Sequence, residues 1–239
     1  MASVAARSAV PPPSARPRVS VVIPVLAEQA TIAEAVSNAF AAGADEVIVA
    51  DGGSADRTVE LAQAAGARVV QAARGRGTQQ NAGAAEASGD LLCFLHADVR
   101  LPRGAVDAMR VALADRSVAG GNFRVRFGGS LHGHFLAAFY HVIRRLGVYY
   151  GDSTIFCRRE AFEAVGGFPS YPLMEDMKLV SRLRRVGRMA YLHGPVAASP
   201  RRWEQAGIAQ AWASWLVIQS LYWCGVSPWR LATLYRHIR

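Results

Sequence analysis

The chain has 239 residues, with 27 Lys and Arg against 18 Asp and Glu and a formal net charge of +9. At about 150 residues per domain this is one full domain, or one with a small appendage, and an apolar content of 51% excludes wholesale disorder. Three cysteines (Cys93, Cys157, Cys224), far apart and odd in number, exclude a disulfide scaffold and a CxxC-type zinc site. Apolar stretches are interrupted before the ~20 residues of a membrane span, and residues 1–18 lack the apolar segment of a secretory signal. A cytoplasmic globular protein with a basic surface is therefore expected. Such a surface suits nucleic acid, an anionic membrane face or a phosphate-bearing substrate. No long block of like charges supports a nucleic-acid tail, so nucleic acid is not an expected partner.

Residues 1–18, rich in Ala, Pro, Ser and Arg, read as a disordered arm. A buried strand is expected from Val19 to Pro24, then a helix opened by a capping box of Thr31 and Glu34. Ile32, Val36 and Phe40 form its apolar stripe, and Gly43 stops it. A second strand over 46–50 runs into Asp51-Gly-Gly-Ser54. A helix from about Thr58 to Gly66 and a strand over 68–71 follow. After a glycine-bearing loop at 72–77 come a helix near 78–87 and a strand over 91–95 that runs into His96-Ala-Asp98. This alternation predicts a mostly parallel sheet flanked by helices, an α/β fold of nucleotide-binding type. Beyond a helix opening near Pro102 the regularity breaks. Strands are expected at 122–127 and 154–157, and helices at 131–146, 175–186 and 208–224.

Ligands of open α/β sheets sit beyond the carboxyl ends of the strands. Three polar groups fall there: the segment after Pro24, Asp51 and Asp98. Asp51 with its glycines reads either as an Asx-type turn or as a carboxylate aimed at a nucleoside, Gly53 permitting close approach. Asp98 suits a hard cation, since Mg²⁺ and Mn²⁺ take one or two carboxylates and complete their shell with substrate phosphates and water. His96 reads more simply as a structural histidine. Glu175 and Asp176 open a helix, where acids complement the dipole, and one of them is equally a candidate general base.

Arg74-Gly-Arg-Gly77 followed by Gln79, Gln80 and Asn81 is similar to a phosphate cradle but lacks the dinucleotide fingerprint, which is also missing after the first strand. Arg202 and Trp203 could clamp a diphosphate or form a solvated corner. The helix over 208–224, with Trp212, Trp215, Tyr222 and Trp223, either packs back on the domain or anchors at a membrane face together with Trp229, Arg230 and Arg236. Cys93 and Cys157, in apolar strands, read as small buried hydrophobes.

Together these residues resemble glycosyltransferase family 2, inverting enzymes of the GT-A fold. The resemblance rests on V-V-I-P-V-L-A-E at 21–28, V-I-V-A-D-G-G-S at 47–54, H-A-D at 96–98, G-G-F-P at 166–169, M-E-D at 174–176 and R-R-W at 201–203. With Y-G-D at 150–152 and P-L-M-E-D at 172–176 the chain is also similar to a compact subgroup associated with arsenosugar biosynthesis. The resemblance implies a GT-A domain over residues 19–203 and a C-terminal helical extension over 204–239. It implies transfer from a nucleotide-sugar donor, a UDP-sugar in the first instance, to an acceptor hydroxyl on a small or lipid-linked molecule.

By resemblance, Pro24, Glu28, Asp51, Gly53, Arg74, Arg76, Gln80, Asn81, Arg202 and Trp203 serve the donor. Asp98 binds Mn²⁺ or Mg²⁺, Gly151 and Asp152 lie on the acceptor side, and Asp176, beside Glu175, is the base. Two departures from the family pattern stand out: Ala27 replaces an asparagine, and His96 replaces an aspartate. The competing expectation is a non-catalytic basic protein on a polyanion or on the inner face of the membrane. A pyrophosphorylase would need a glycine-rich basic first loop, which 24–28 does not supply.

Overall fold

A computed structural model of the chain describes residues 16–128, 131–145, 151–198 and 208–238. The first half alternates as its periodicity dictates: β1 (Val19–Val25), α1 (Ile32–Ala41), β2 (Glu46–Asp51), α2 (Thr58–Ala64), β3 (Arg68–Gln71), α3 (Arg76–Glu86) and β4 (Leu91–Phe94). These strands pair in parallel, with β1 between β2 and β4 and Val22 set against both Ile48 and Phe94. The second half contributes β5 (Val99–Arg100), α4 (Ala105–Ala114), β6 (Val118–Phe127), α5 (Leu131–Arg145), β7 (Ile155–Arg158), α6 (Arg159–Ala164), α7 (Glu175–Val186) and β8 (Arg188–Ala198). Two further helices close the chain, α8 (Ile208–Trp223) and α9 (Pro228–Ile238).

The eight strands of the described residues form one sheet in the order β3-β2-β1-β4-β7-β6-β8-β5. β7 runs antiparallel to both β4 and β6, so the nucleotide-binding half and the irregular half share a continuous sheet.

The central strands are apolar on both faces, as a helix-covered sheet requires. Along β1, Val21 and Ile23 enter one core with α1 and α4, while Val22 enters the other. That second core includes Leu92, Phe94, Leu179 and Leu183. Phe94 stacks edge-on against Phe168 at 4.8 Å and lies 5.2 Å from Phe162, which pins the 166–169 loop to the sheet. Both Asn81 amide groups complete that anchorage: Nδ2 donates to the Phe168 carbonyl, and Oδ1 accepts the Phe168 N–H.

Several expectations are corrected. Thr31 and Glu34 form no capping box: Thr31 Oγ1 donates to Glu28, and Glu34 pairs with Arg100 across the sheet end. Phe40 is partly exposed, and Ala35 and Ala39 complete the inner face of α1. α3 starts at Arg76, two residues earlier than expected, because Gly75 opens the turn. α6, β8 and α9 were not among the expected elements. Of the arm, residues 1–15 lie outside the described residues. Arg16 pairs with Asp107, and the Arg18 N–H donates to Asp90. Cys93 and Cys157 are buried and unpaired, and burial pushes both thiols far above their ordinary range.

Gly83, on the face of α3 against the sheet, permits a close approach: a Cβ there would run into Val22 Cγ1. Gly83→Ala is expected to destabilise the fold by about 1–3 kcal/mol, as overpacking does. Urea unfolding of wild type and variant measures the difference.

Candidate active site

The site is built where β1, β2 and β4 end side by side. The loop after β1 is stitched to the loop after β2 by three backbone donors: Ala27 N–H to Ser54 Oγ (2.9 Å), Glu28 N–H to Thr58 Oγ1 (2.8 Å) and Gln29 N–H to Asp56 (3.3 Å). Gln79, buried in α3, ties the strand ends together, its Nε2 donating to the carbonyls of Val25 (2.7 Å) and Ala50 (2.9 Å). These loops and the first turn of α3 bound a cleft of about 280 Å³ lined by Pro24, Glu28, Gly75, Arg76, Gln79, His96 and Asp98. The N-terminus of α3, with its unsatisfied N–H groups and positive dipole end, therefore faces the cleft beside a guanidinium.

Behind His96 lies a buried charged cluster. Asp176 Oδ2 accepts the Gly151 N–H at 2.9 Å, whereas the buried Oδ1 has no hydrogen-bond partner. A Cβ on Gly151 would come within 2.6 Å of both Asp176 Oδ2 and His96 Nε2, so three segments far apart in sequence meet at one point. His96 Nδ1 faces Asp152 Oδ1 at 3.3 Å, and Tyr140 Oη donates to Asp152 Oδ2 at 3.4 Å. His96 Nε2 is buried without a partner. Burial opposes the imidazolium, but Asp152 and Asp176 outweigh it and hold the His96 pKa above its ordinary value.

Glu175 is 1% exposed, with Arg76 Nε 2.8 Å from its Oε1. Burial pushes its carboxyl pKa up, the adjacent Asp176 adds to the rise, and Arg76 offsets part of it. Partial burial lowers the pKa of the Arg76 guanidinium, yet the carboxyls of Glu175, Asp176 and Asp152 hold it above the ordinary arginine value. Among the described residues the non-glycine positions with positive φ are Ala27, Thr154 and Met174. Each adjoins a segment of this site, where backbone strain characteristically collects. Met174 at φ +66° is the N-cap of α7, immediately before its two buried acids.

The expected residues fall into distinct groups. Pro24, Glu28, Arg76 and Asp98 line the cleft, and Gly151, Asp152, Glu175 and Asp176 form the cluster behind it. Asp98 is not a helix cap, since α4 begins at Ala105 with Gly104 before it. Asp51 is different: its buried carboxylate accepts from the N–H groups of Gly53 (3.0 Å) and Ser54 (3.1 Å) and shapes the β2 loop. Gly53, at φ +90°, completes that turn. Arg74 is exposed with Nε on the Gly52 carbonyl, Gln80 is buried, and Asn81 is committed to Phe168. The residues lining the cleft include Gln79 in place of Gln80. Arg202 and Trp203 lie outside the described residues. Sequence reading undervalued His96 and Gln79; the one hint was that both belong to segments already singled out.

The profile of the family described as glycosyl transferase family 2 matches residues 20–166. The chain belongs to this family. It is a glycosyltransferase, and the match covers the cleft, His96, Asp98 and Asp152 but ends before Glu175 and Asp176. Among solved structures it is similar to glucosyl-3-phosphoglycerate synthase of Mycobacterium tuberculosis in complex with Mn²⁺, UDP-glucose and phosphoglyceric acid. There the TM-score is 0.60 at 24% identity over 76% of this chain and 72% of that one. The same enzyme with Mg²⁺ and UDP gives a TM-score of 0.57 at 23% identity, covering 76% of this chain and 71% of that one. These likenesses establish a shared fold, the GT-A arrangement with its curled sheet. No curated protein matches the sequence.

The elevated Glu175 pKa has a consequence for stability. Because folding raises it above the ordinary 4.5, the folded chain binds this proton more tightly than the unfolded chain. The resulting stabilisation is complete below 4.5 and is lost as pH rises through the folded-state value. Glu175→Gln, which cannot ionise, is expected to gain stability relative to wild type as pH increases from acid to neutral. Denaturant unfolding of both proteins across that range checks the sign.

Proposed function

We propose that this glycosyltransferase moves a sugar, with inversion at the anomeric carbon, from a UDP-sugar to an acceptor hydroxyl with the help of a divalent cation. The observation that carries the reading is Asp176 Oδ1: a buried carboxylate oxygen, free of hydrogen bonds, beside the wall of a cleft that presents Asp98, Arg76 and a helix N-terminus. Pro24 and Glu28, on the loop braced by Asp51 and Ser54, are positioned for the nucleoside. Gly75, Arg76 and the first turn of α3 are positioned for the diphosphate, since backbone N–H groups and a guanidinium both suit phosphate oxygens.

The donor set fits the cation. Asp98 offers a hard oxygen ligand, and His96 lines the same cleft. His96 Nδ1 faces Asp152, the outer contact that orients ligating imidazoles. No group of three or more His, Cys, Asp or Glu able to hold an ion occurs among the described residues. A shell completed by phosphate oxygens and water, the habit of Mg²⁺ and Mn²⁺, matches that sparse set. Mn²⁺ and Mg²⁺ in the mycobacterial neighbours support the same class of ion. Bound at Asp98, the cation would neutralise charge gathering on the departing diphosphate.

The acceptor oxygen attacks the anomeric carbon opposite the leaving group, the bond to the diphosphate oxygen breaks, and the hydroxyl proton passes to Asp176 Oδ1. A single base on the acceptor side suffices, and the Gly151 N–H on Oδ2 holds the carboxylate with Oδ1 unpartnered. His96, Asp152 and Tyr140 form the adjoining wall, where Asp152 orients the acceptor. Arg76, held protonated by the surrounding acids, keeps a cation beside the diphosphate throughout.

Asp176→Asn is expected to lower turnover by about 10²–10⁴-fold, the range supplied by a positioned base, while UDP affinity stays at the wild-type level. Asp98→Asn is expected to abolish the Mn²⁺-dependent part of UDP binding measured by calorimetry. Turnover retained in Asp176→Asn removes the base assignment. A screen of nucleotide sugars for slow hydrolysis, with and without Mn²⁺, identifies the donor. No cleavage of any UDP-sugar would overturn that part of the proposal.

A further inference from the structure

Helix α8 is built inside out. Its sixteen residues carry no charged side chain. The face turned toward the protein buries Ser214 and Gln219, the latter 1% exposed, together with Ile218. Leu216, Val217 and Trp223 point outward instead, Trp223 being 60% exposed. Exposed positions 213, 216, 217, 220, 223 and 224 recur at helical spacing, so they make one continuous uncharged stripe. An ordinary surface helix places Gln outside and Leu, Val and Trp inside, because apolar area in water is unfavourable.

The neighbouring helices extend the pattern. α9 exposes Trp229 (64%) and Leu234. α5 meets α8 where Phe139 packs edge-on against Trp215 at 5.0 Å. Its own outward residues, Phe135, Ala138 and Val142, again fall at helical spacing. Neither α5, α8 nor α9 contains an Asp or Glu, and Arg230 is exposed beside Trp229.

We propose that the outward stripe of α8, with the Trp229-Arg230 end of α9, docks this enzyme on the surface of an anionic lipid bilayer. Charge decides between a bilayer and a second copy of the chain. Two copies meeting through these helices would bring together surfaces without a single acidic residue, on chains of net charge +9. An anionic headgroup layer supplies the missing counter-charge, and tryptophans favour that layer. The helix lies on the membrane and does not cross it: α8 is about 24 Å long at 1.5 Å per residue, and no helix among the described residues is long and apolar enough to span.

Flotation of the full chain with vesicles tests the proposal, using phosphatidylcholine mixed with phosphatidylglycerol against phosphatidylcholine alone. The wild type is expected to float with the mixed vesicles and to remain largely unbound with neutral ones. Leu216→Glu combined with Val217→Glu is expected to weaken binding about tenfold or more, equivalent to at least ~1.4 kcal/mol. Trp229→Ser, a change at an exposed side chain, tests the same surface should the double variant misfold, and is expected to lower the floated fraction. Wild type that does not float with the mixed vesicles overturns the proposal. So does full binding retained by both variants, or a dimer in sedimentation that the double variant dissociates without any lipid binding by the wild type.

Discussion

Two adjacent carboxyl groups buried at the first turn of α7 set the terms for the surrounding site. Buried acids are unfavourable unless charge or hydrogen bonds compensate them, and here the compensation comes from three distant segments. Arg76 reaches Glu175 from the start of α3, the Gly151 N–H reaches Asp176 from the turn before β7, and His96 approaches from the end of β4. Each partner is held by its own element, so the acids act as a cross-brace between the nucleotide-binding half and the irregular half of the sheet. The same brace leaves one Asp176 oxygen unpartnered.

The cleft in front of the brace depends on a different interaction type. Gln79 and the Asp51 turn spend their hydrogen-bonding capacity on backbone groups, fixing the loops after β1 and β2. Rigid loop geometry lets Pro24 and Glu28 present a defined rim, while Arg76 and Asp98 supply opposite charges across it. Positive potential from Arg76 and the α3 N-terminus beside a hard anionic ligand is the combination a metal-bridged diphosphate calls for. The strained backbone at Ala27, Thr154 and Met174 belongs to the same construction. Ala27 is notable because asparagine, which tolerates left-handed φ more readily than alanine, is the residue the family pattern would place there.

The C-terminal helices follow neither logic. α8 buries polar Ser214 and Gln219 beside Ile218, α9 buries Leu231, and both helices expose tryptophan and aliphatic side chains. Apolar area in water is unfavourable, so that arrangement is costly on a surface that meets only solvent. Docked as proposed, a chain of net charge +9 would bring its charge and its apolar stripe to bear on the same partner.

The α/β class, the parallel order of the first half and the strand-end placement of Glu28, Asp51 and Asp98 were legible in the sequence. Hydrophobic runs and helical periodicity are local properties, and the crevice rule follows from them. The span of α7 from Glu175 to Val186 was legible for the same reason. What stayed hidden was every assignment that depends on where a side chain turns once the chain is compact. Asp51 faces its own loop, Gln79 and not Gln80 lines the cleft, Asn81 clamps Phe168, and His96 meets Asp152. Local sequence fixes which face a residue occupies; only the packing of α7 and the Gly151 turn against β4 decided which buried polar atoms found partners and which were left without one.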